Sequence, residues 1–405
     1  MMKPDTKIVI LTISDLIYEA NLHRKVMTLK KQYPNLVVLA TRNRRLDLNI
    51  WEGINLQFLE LRFKKGLLYF AEFFLKSLSW VLRQKADLFI SYDVYPLLPL
   101  RIKKIIHPCN YIYDSVELFQ GVNAIADNPV KRKIWFFYEK WAIGKASDIF
   151  MVCKSDATYL RKIYRLENEP EVVRNIPDPS ETFHENYLRV TYGVPADIKI
   201  GIYQGMVFKG RGIEYILKAM AGISGMILFI VGDGPYKDYL KNLTREYRLK
   251  KSVVFIHAVP FNELYKFTQS ADIGFTTIAG KGLSYYHALP NKLFEYIQAG
   301  VPVIGSNYPE IRNIIEKEEI GYAVKPDSVE EIKEAIRKML INENRQRFEK
   351  KLEKIKGKYT WEKESEIYLD IIRRNLDGTY QRTEQFVPEN DKQKHGNKQK
   401  ETKKR

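Results

Sequence analysis

The chain has 405 residues, 45% of them hydrophobic and 13% aromatic, which excludes a protein disordered throughout and leaves room for two domains with full cores. A formal net charge of +17 biases its partners toward phosphates, whether on nucleotides, anionic lipid or nucleic acid. Cys109 and Cys153 are the only cysteines and form no CxxC pair, so a reducing, cytoplasmic setting is expected and a zinc framework is not.

Residues 8–13 are an apolar run too short for a signal sequence and without a small-residue cleavage site, and are expected as the first strand. An amphipathic helix over about residues 18–32 follows, then short strands at 37–40 and 56–61. The runs 87–92 and 111–114 read as buried strands ending in polar residues, the position at which open α/β sheets bind ligands. Strands alternating with helices predict a doubly wound parallel sheet. Ser14-Asp15 stands where a dinucleotide fold would carry its glycine-rich turn, so a dehydrogenase domain is not expected.

Residues 64–83 form a helix whose few polar side chains, Glu72, Lys76, Ser79 and Arg83, share one stripe. It is too short and too charged to span a membrane. Burial is the favoured reading; its basic flanks and the basic, aromatic run 131–145 keep open an interfacial helix on anionic lipid. A strand near 147–153 is expected to lead into a helix capped by Ser155 or Asp156. Pro177 and Pro179 close the first half, and the polar stretch to Asp197 is expected as a linker.

The second half restarts the alternation, with strands at 198–203, 226–231, 252–255 and 271–276 and a helix at 212–220. Lys209 and Arg211 lie in the loop after the first of these strands, where loops line a ligand crevice. Gly232 and Gly234 mark a strand-to-helix turn. Pro290 and Gly300 bracket a helix of about three turns that leads into a strand at 301–304. Asn291 and Glu295 share a face of that helix with Lys292 beside them, which suits a nucleotide diphosphate and its ribose; the plain alternative is that Glu295 is a solvated surface carboxylate.

Tyr203-Gln204-Gly205, Arg211-Gly212-Ile213-Glu214, Val231-Gly232-Asp233-Gly234-Pro235 and residues 289–304 fall in the order and rough spacing of one known pattern. It resembles the nucleotide-binding half of the family-4 retaining glycosyltransferases (glycosyl transferases group 1), in the branch whose donor helix opens Leu-Pro-Asn-Lys. The likeness extends to Tyr113-Asp114-Ser115-Val116-Glu117, to Val173-Arg174-Asn175-Ile176-Pro177 and to Tyr359-Thr360-Trp361, and so over nearly all the chain to about Arg374. It implies an α/β GT-B fold, with two Rossmann-like doubly wound parallel-sheet domains facing across a cleft and a C-terminal helix crossing back to the first. Residues 1–178 would then bind the acceptor, 179–197 would link, 198–358 would bind the donor, 359–375 would be the crossing helix, and 376–405 a disordered basic tail. Residues 391–405 alone carry seven Lys or Arg against two Asp or Glu, fit either for contact with acidic lipid or for solubility.

The same resemblance implies a hexosyl transfer that retains the anomeric configuration and needs no cofactor or metal; no two aspartates stand as Asp-x-Asp. Charge on the leaving diphosphate would then fall to Arg211, Lys209 and the amides of Asn291, Lys292 and Leu293. Glu295 is carried over to the donor ribose and Gly205, Gly232 and Gly234 to the nucleotide-binding loops. Asp114 and Glu117 are carried over, with Arg211, as the catalytic group. Two positions depart from the family: His287 replaces a second glutamate eight residues before Glu295, and Val116 replaces the histidine of the Asp-x-His-Glu segment.

The expectation is a cytoplasmic enzyme that moves a sugar from a nucleoside diphosphate such as UDP to a glycan or lipid-linked acceptor in cell-surface polysaccharide synthesis, with peripheral contact to an anionic membrane left open. An epimerase or hydrolase of nucleotide sugars on the same scaffold, or an inactive member, is the alternative. Nucleic acid is not an expected partner, since helix-turn-helix, zinc-spacing and stacking motifs are missing.

Overall fold

Short runs of buried, largely β-branched and aromatic residues make the central strands, helices make most of the crossovers, and every strand pair among the described residues is parallel. The computed structural model describes residues 5–14, 16, 19–42, 48–121, 128–178 and 186–378. These fall into two units: one holds the chain to Leu118, Pro129–Val172 and the residues from Leu369 on, the other Phe119–Asn128 and Val173–Tyr368.

The first unit runs β1 (Lys7–Leu11), α1 (Ala20–Gln32), β2 (Asn35–Thr41), β3 (Asn55–Leu59), α2 (Gly66–Arg83), β4 (Leu88–Tyr92), α3 (Leu97–Ile106), β5 (Tyr111–Asp114), α4 (Pro129–Ile143), β6 (Asp148–Met151), α5 (Lys154–Tyr164) and β7 (Glu171–Val172). Its sheet order is β3-β2-β1-β4-β5-β6-β7. The register places Ile8 opposite both Leu36 and Leu88, so the centre of the sheet is a continuous aliphatic layer. The expected strand at 56–61 sits one to two residues earlier. The expected cap at Ser155 or Asp156 gives way to Cys153, in extended conformation, with Asp156 inside the first turn, where a carboxylate still favours the helix dipole.

The expected burial of α2 is overturned. Of its eighteen residues only Phe73, Ser77 and Val81 are buried, while Leu67, Leu68 and Leu75 stand exposed. A single face meets the unit, packed mainly on α3, with Trp80 donating to Gln57 of β3 at 2.9 Å.

The second unit runs α6 (Tyr187–Tyr192), β8 (Lys199–Gln204), α7 (Ile213–Met220), β9 (Met226–Val231), α8 (Lys237–Glu246), β10 (Val253–Ile256), α9 (Phe261–Gln269), β11 (Ile273–Thr276), α10 (Leu283–Tyr286), α11 (Asn291–Ala299), β12 (Val303–Ser306), α12 (Pro309–Glu318), β13 (Gly321–Val324), α13 (Val329–Leu340), α14 (Asn342–Ile355) and α15 (Trp361–Leu376), whose last residues group with the first unit. Its order is β10-β9-β8-β11-β12-β13. One face of this sheet packs on Ile216 and Leu217 of α7 and Ile332, Ile336 and Met339 of α13. The other packs on Leu293, Phe294, Tyr296 and Ile297 of α11.

The stretch expected as a linker is not all linker. Asn186 caps α6 by accepting the Arg189 amide at 3.0 Å, and Leu188 is fully buried in the α11 core. Residues 179–185 and the tail at 379–405, including its basic end, lie outside the described residues.

Candidate functional site

In the second unit β9 lies on one side of β8 and β11 on the other, so the loops after β8 and β11 diverge at the switch point of the sheet. The first of these loops holds Gly205, Lys209 and Arg211, the turn after β9 holds Gly232 and Gly234, and α11, with Asn291, Lys292 and Glu295, begins where the loop after β11 ends.

Close backbone contact fixes these loops. At Gly212, with φ of 76°, a Cβ would stand 1.7 Å from the Thr277 carbonyl oxygen; at Gly232, with φ of 148°, it would stand 2.0 Å from that of Gly205. Ala279 donates its amide to Gly210 at 2.9 Å and Val207 to Asp233 at 3.0 Å. Gly232 and Gly234 therefore let the β9 turn lie flush on the β8 loop, which is their part in the site. Lys237 ties the same turn, donating to the Gly232 carbonyl at 3.0 Å and the Asp233 carboxylate at 2.6 Å. That bond, with the Ala258 amide, holds Asp233 down to about 2.

Two cations converge beside Gly205. Lys292 on α11 places its ammonium 3.6 Å over the Tyr203 ring, and the Arg211 guanidinium lies 5.8 Å from the Tyr285 ring. Loss of water, then repulsion from Arg211, pulls the Lys292 pKa well below that of an ordinary lysine, while the Glu295 charge opposes this. A like-charged, poorly hydrated pair of this kind is stabilised by an incoming anion. Lys209 stands exposed on the same loop.

Glu295 is half-buried and is not a simple solvated carboxylate: Gln204, the last residue of β8, donates its amide to it, and Thr268 in turn donates its hydroxyl to Gln204 at 2.8 Å. The relay leaves the carboxylate aimed by two neighbouring elements. Pro290 precedes α11 in extended conformation with no side-chain cap, as the proline and glycine bracket predicted, and Gly300 ends it at φ of 73°. Leu293 donates its amide to Pro290 at 3.0 Å, which removes it from the anion-binding set and leaves the first-turn amides of Asn291 and Lys292. His287 ends α10, largely buried, its ring beside Tyr286.

In the first unit Asp114 must be reassigned. Its carboxylate is buried and receives the Lys25 ammonium at 2.7 and 2.8 Å, so it is consumed by an internal ion pair. Glu117, three residues on, is exposed. The carboxyl that sequence reasoning passed over is Asp93. It follows β4, next to the β1/β4 switch point, with φ of 75°, uncommon for a residue other than glycine. Burial, reinforced by Glu117, Glu139 and Glu19, raises it to about 7 against the pull of its bond from the Val94 amide. Its one sequence signal was a polar residue directly after a buried strand. Gln204 and Tyr203 were missed as functional side chains because their partners, Glu295 and Lys292, are remote in sequence.

Residues 188–355, which contain every second-unit residue named here, match the family described as Glycosyl transferases group 1. Two uncharacterised glycosyltransferases of Methanocaldococcus jannaschii are 31% identical over 147 residues, covering 35% of this chain and 36% of the relative, and 25% identical over 263 residues, covering 61% and 64%. The chain thus spans less than two thirds of either. The alpha-monoglucosyldiacylglycerol synthase of Streptococcus pneumoniae is 26% identical over 46% of this chain and 42% of its own. Among solved structures, HepE of Anabaena in complex with UDP and glucose superposes with a TM-score of 0.75 at 14% identity, over 91% of this chain and 99% of its own. The sucrose-phosphate synthase of Thermosynechococcus elongatus does so with 0.75 at 16%, over 92% and 100%. The fold is GT-B.

Proposed function

We propose that the chain is a retaining glycosyltransferase that takes a hexose from a nucleoside diphosphate sugar and passes it to a glycan or lipid-linked acceptor of the cell surface. The observation that carries this is the pairing, at the switch point of the second unit, of a carboxylate aimed by Gln204 with the two cations Arg211 and Lys292 at the uncapped start of α11. A carboxylate accepts the hydroxyls of a ribose, and cations with helix amides take the charge of a diphosphate.

In this reading the sugar–phosphate bond breaks as charge gathers on the leaving diphosphate. Arg211, Lys292 and the Asn291 and Lys292 amides meet that charge in place, without a metal. Lys209 reaches the outer phosphate from the rim. Glu117 and Asp93, in place of Asp114, are the carboxyls that support a role toward the acceptor. UDP is the favoured nucleotide, since HepE is described with UDP, and the pneumococcal relative's name supports a lipid-linked acceptor.

The test is donor turnover in Arg211→Ala and Glu295→Ala, with UDP binding followed by thermal shift. Each variant is expected to keep the fold and lose at least about a hundredfold in turnover, the loss typical of removing one charge-stabilising group. Wild-type turnover in both would sink the assignment. In wild type, UDP at about 100 times its dissociation constant raises stability by about 2.7 kcal/mol.

A further inference from the structure

We propose that the exposed face of α2 and α4 in the first unit is a docking surface for an anionic lipid bilayer. The proposal stands independently of the sugar-transfer reading.

On α4 the outward residues are Val130, Ile134, Phe137 and Trp141, at spacings of four, three and four, so they form one apolar stripe along the helix. On α2 the matching positions are Leu67, Leu68, Ala71 and Leu75. These are not marginal exposures: Leu67, Val130 and Ile134 are 84%, 68% and 62% open to solvent. Among the described residues both stripes are open to solvent apart from Trp141, whose ring lies 5.0 Å from the Arg101 guanidinium of α3, and apolar stripes of this length are uncommon on a free surface.

The two stripes belong to one surface. The Phe70 ring of α2 stacks on Tyr95 at 5.1 Å, and Tyr95 meets Trp135 of α4 edge-on at 5.6 Å. Tyr95, just before α3, therefore bridges the early turns of the two helices, with Phe70 one turn beyond Leu67 and Trp135 adjacent to Ile134. The Glu72 carboxylate accepts the Arg62 and Phe63 amides at 2.8 and 3.1 Å, which holds the segment carrying Phe63, Lys64 and Lys65 against the same end.

Charge decides the occupant. Residues 61–71 and 128–138 carry Arg62, Lys64, Lys65, Lys131, Arg132 and Lys133; of the acids at their margins, Glu72 is paired with Lys76 at 2.8 Å and Glu139 is buried against Tyr113 and Tyr164, which leaves Glu60 and Asp127 against the six cations. A second copy of this chain would bring six like charges against six. Apolar side chains set among cations instead match the phosphates and acyl boundary of an anionic leaflet. None of the described helices is long and apolar enough to cross a membrane, so contact would be peripheral.

The experiment is flotation of the full chain with vesicles of phosphatidylcholine alone or mixed with phosphatidylglycerol. Wild type is expected to float with the mixed vesicles only. Lys131→Gln/Arg132→Gln/Lys133→Gln is expected to lose about a hundredfold in partition, at roughly fivefold for each charge near an anionic surface. Leu67→Gln/Ile134→Gln, which changes only exposed side chains, is expected to lose at least about tenfold at unchanged circular dichroism. Failure of wild type to float with mixed vesicles overturns the proposal. So does undiminished binding by both variants, which would move the affinity to other basic residues such as 391–405. A dimer broken by Leu67→Gln/Ile134→Gln, without vesicle binding, would give the surface to a second copy instead.

Discussion

Asp93 shows how a single side chain can store free energy at the switch point of a parallel sheet. Its carboxyl titrates at about 7 in the folded chain against 3.8 when unperturbed. Below about pH 4 both states hold the proton and there is no cost. As pH rises from there to about 7, the unfolded carboxyl ionises first, so folding stability falls through that window and the full cost remains above it. Asparagine tolerates the left-handed backbone and can still accept the Val94 amide. Asp93→Asn is therefore expected to be more stable than wild type at pH 8 by about 2 kcal/mol, discounted from the full shift for the solvent the side chain still meets, and equal to it at pH 4. Urea unfolding at the two values checks this, and equal stability at pH 8 would mean that the carboxylate forms there without penalty.

At the level of elements, the site depends on the loops after β8 and β11 touching at Gly212. Two things forbid a side chain there, positive φ and the Thr277 carbonyl 1.7 Å from a would-be Cβ. Gly222 separates them: its φ is 77°, but only the tip of Lys333, at 3.7 Å, is near. Gly222→Ala is expected to cost about 1 kcal/mol from backbone strain alone, and Gly212→Ala about 3 kcal/mol together with a loss of UDP affinity. Equal unfolding midpoints in the two variants would show that the loops can part freely. The contrast also explains what could be read from the sequence. The α11 helix was legible because Pro290 and Gly300 punctuate it, and β5 because its four residues are uniformly buried. The short helices α6 and α10 carry too few turns for a periodicity, and α2 was judged buried since apolar content says nothing of whether a partner exists. Partners distant in the chain stayed hidden. Asp114 ends one buried strand and Asp93 follows another, and it is Lys25, 89 residues before Asp114, that takes Asp114 into an ion pair. The same holds for Gln298, which joins the segments at Pro177 and Tyr359 to α11 by bonds of 2.9 and 3.1 Å to their carbonyls.

At the scale of the whole molecule the last helix is divided between the units, its first half grouped with the second and its end with the first, and each part has its own polar contacts. Near its start, Glu364 accepts the Arg174 amide and guanidinium, each at 2.8 Å, beside the Tyr359 and Gln298 contacts of the second unit. Near its end, Arg374 reaches Asp148 at 3.1 Å and Glu171 at 2.8 Å, with Asn375 adding a bond to Asp148 at 3.3 Å. Asp148 is wholly enclosed and also accepts the Ile149 amide at 2.9 Å. Removing the cation from such a site costs more than the pair contributes, because a buried carboxylate loses the opposite charge beside it. Arg374→Met is thus expected to destabilise by about 3 kcal/mol, and Asp148→Asn added to it is expected to restore about half, since the charge that suffered is gone. Glu171→Gln, which loses only a half-exposed partner, is expected to change stability by less than about 1 kcal/mol. Chemical denaturation followed by far-ultraviolet circular dichroism measures all three. If Arg374→Met matched Glu171→Gln, the helix would be held by its apolar face, through Tyr368, Ile371 and Ile372, and its polar end would add no stability.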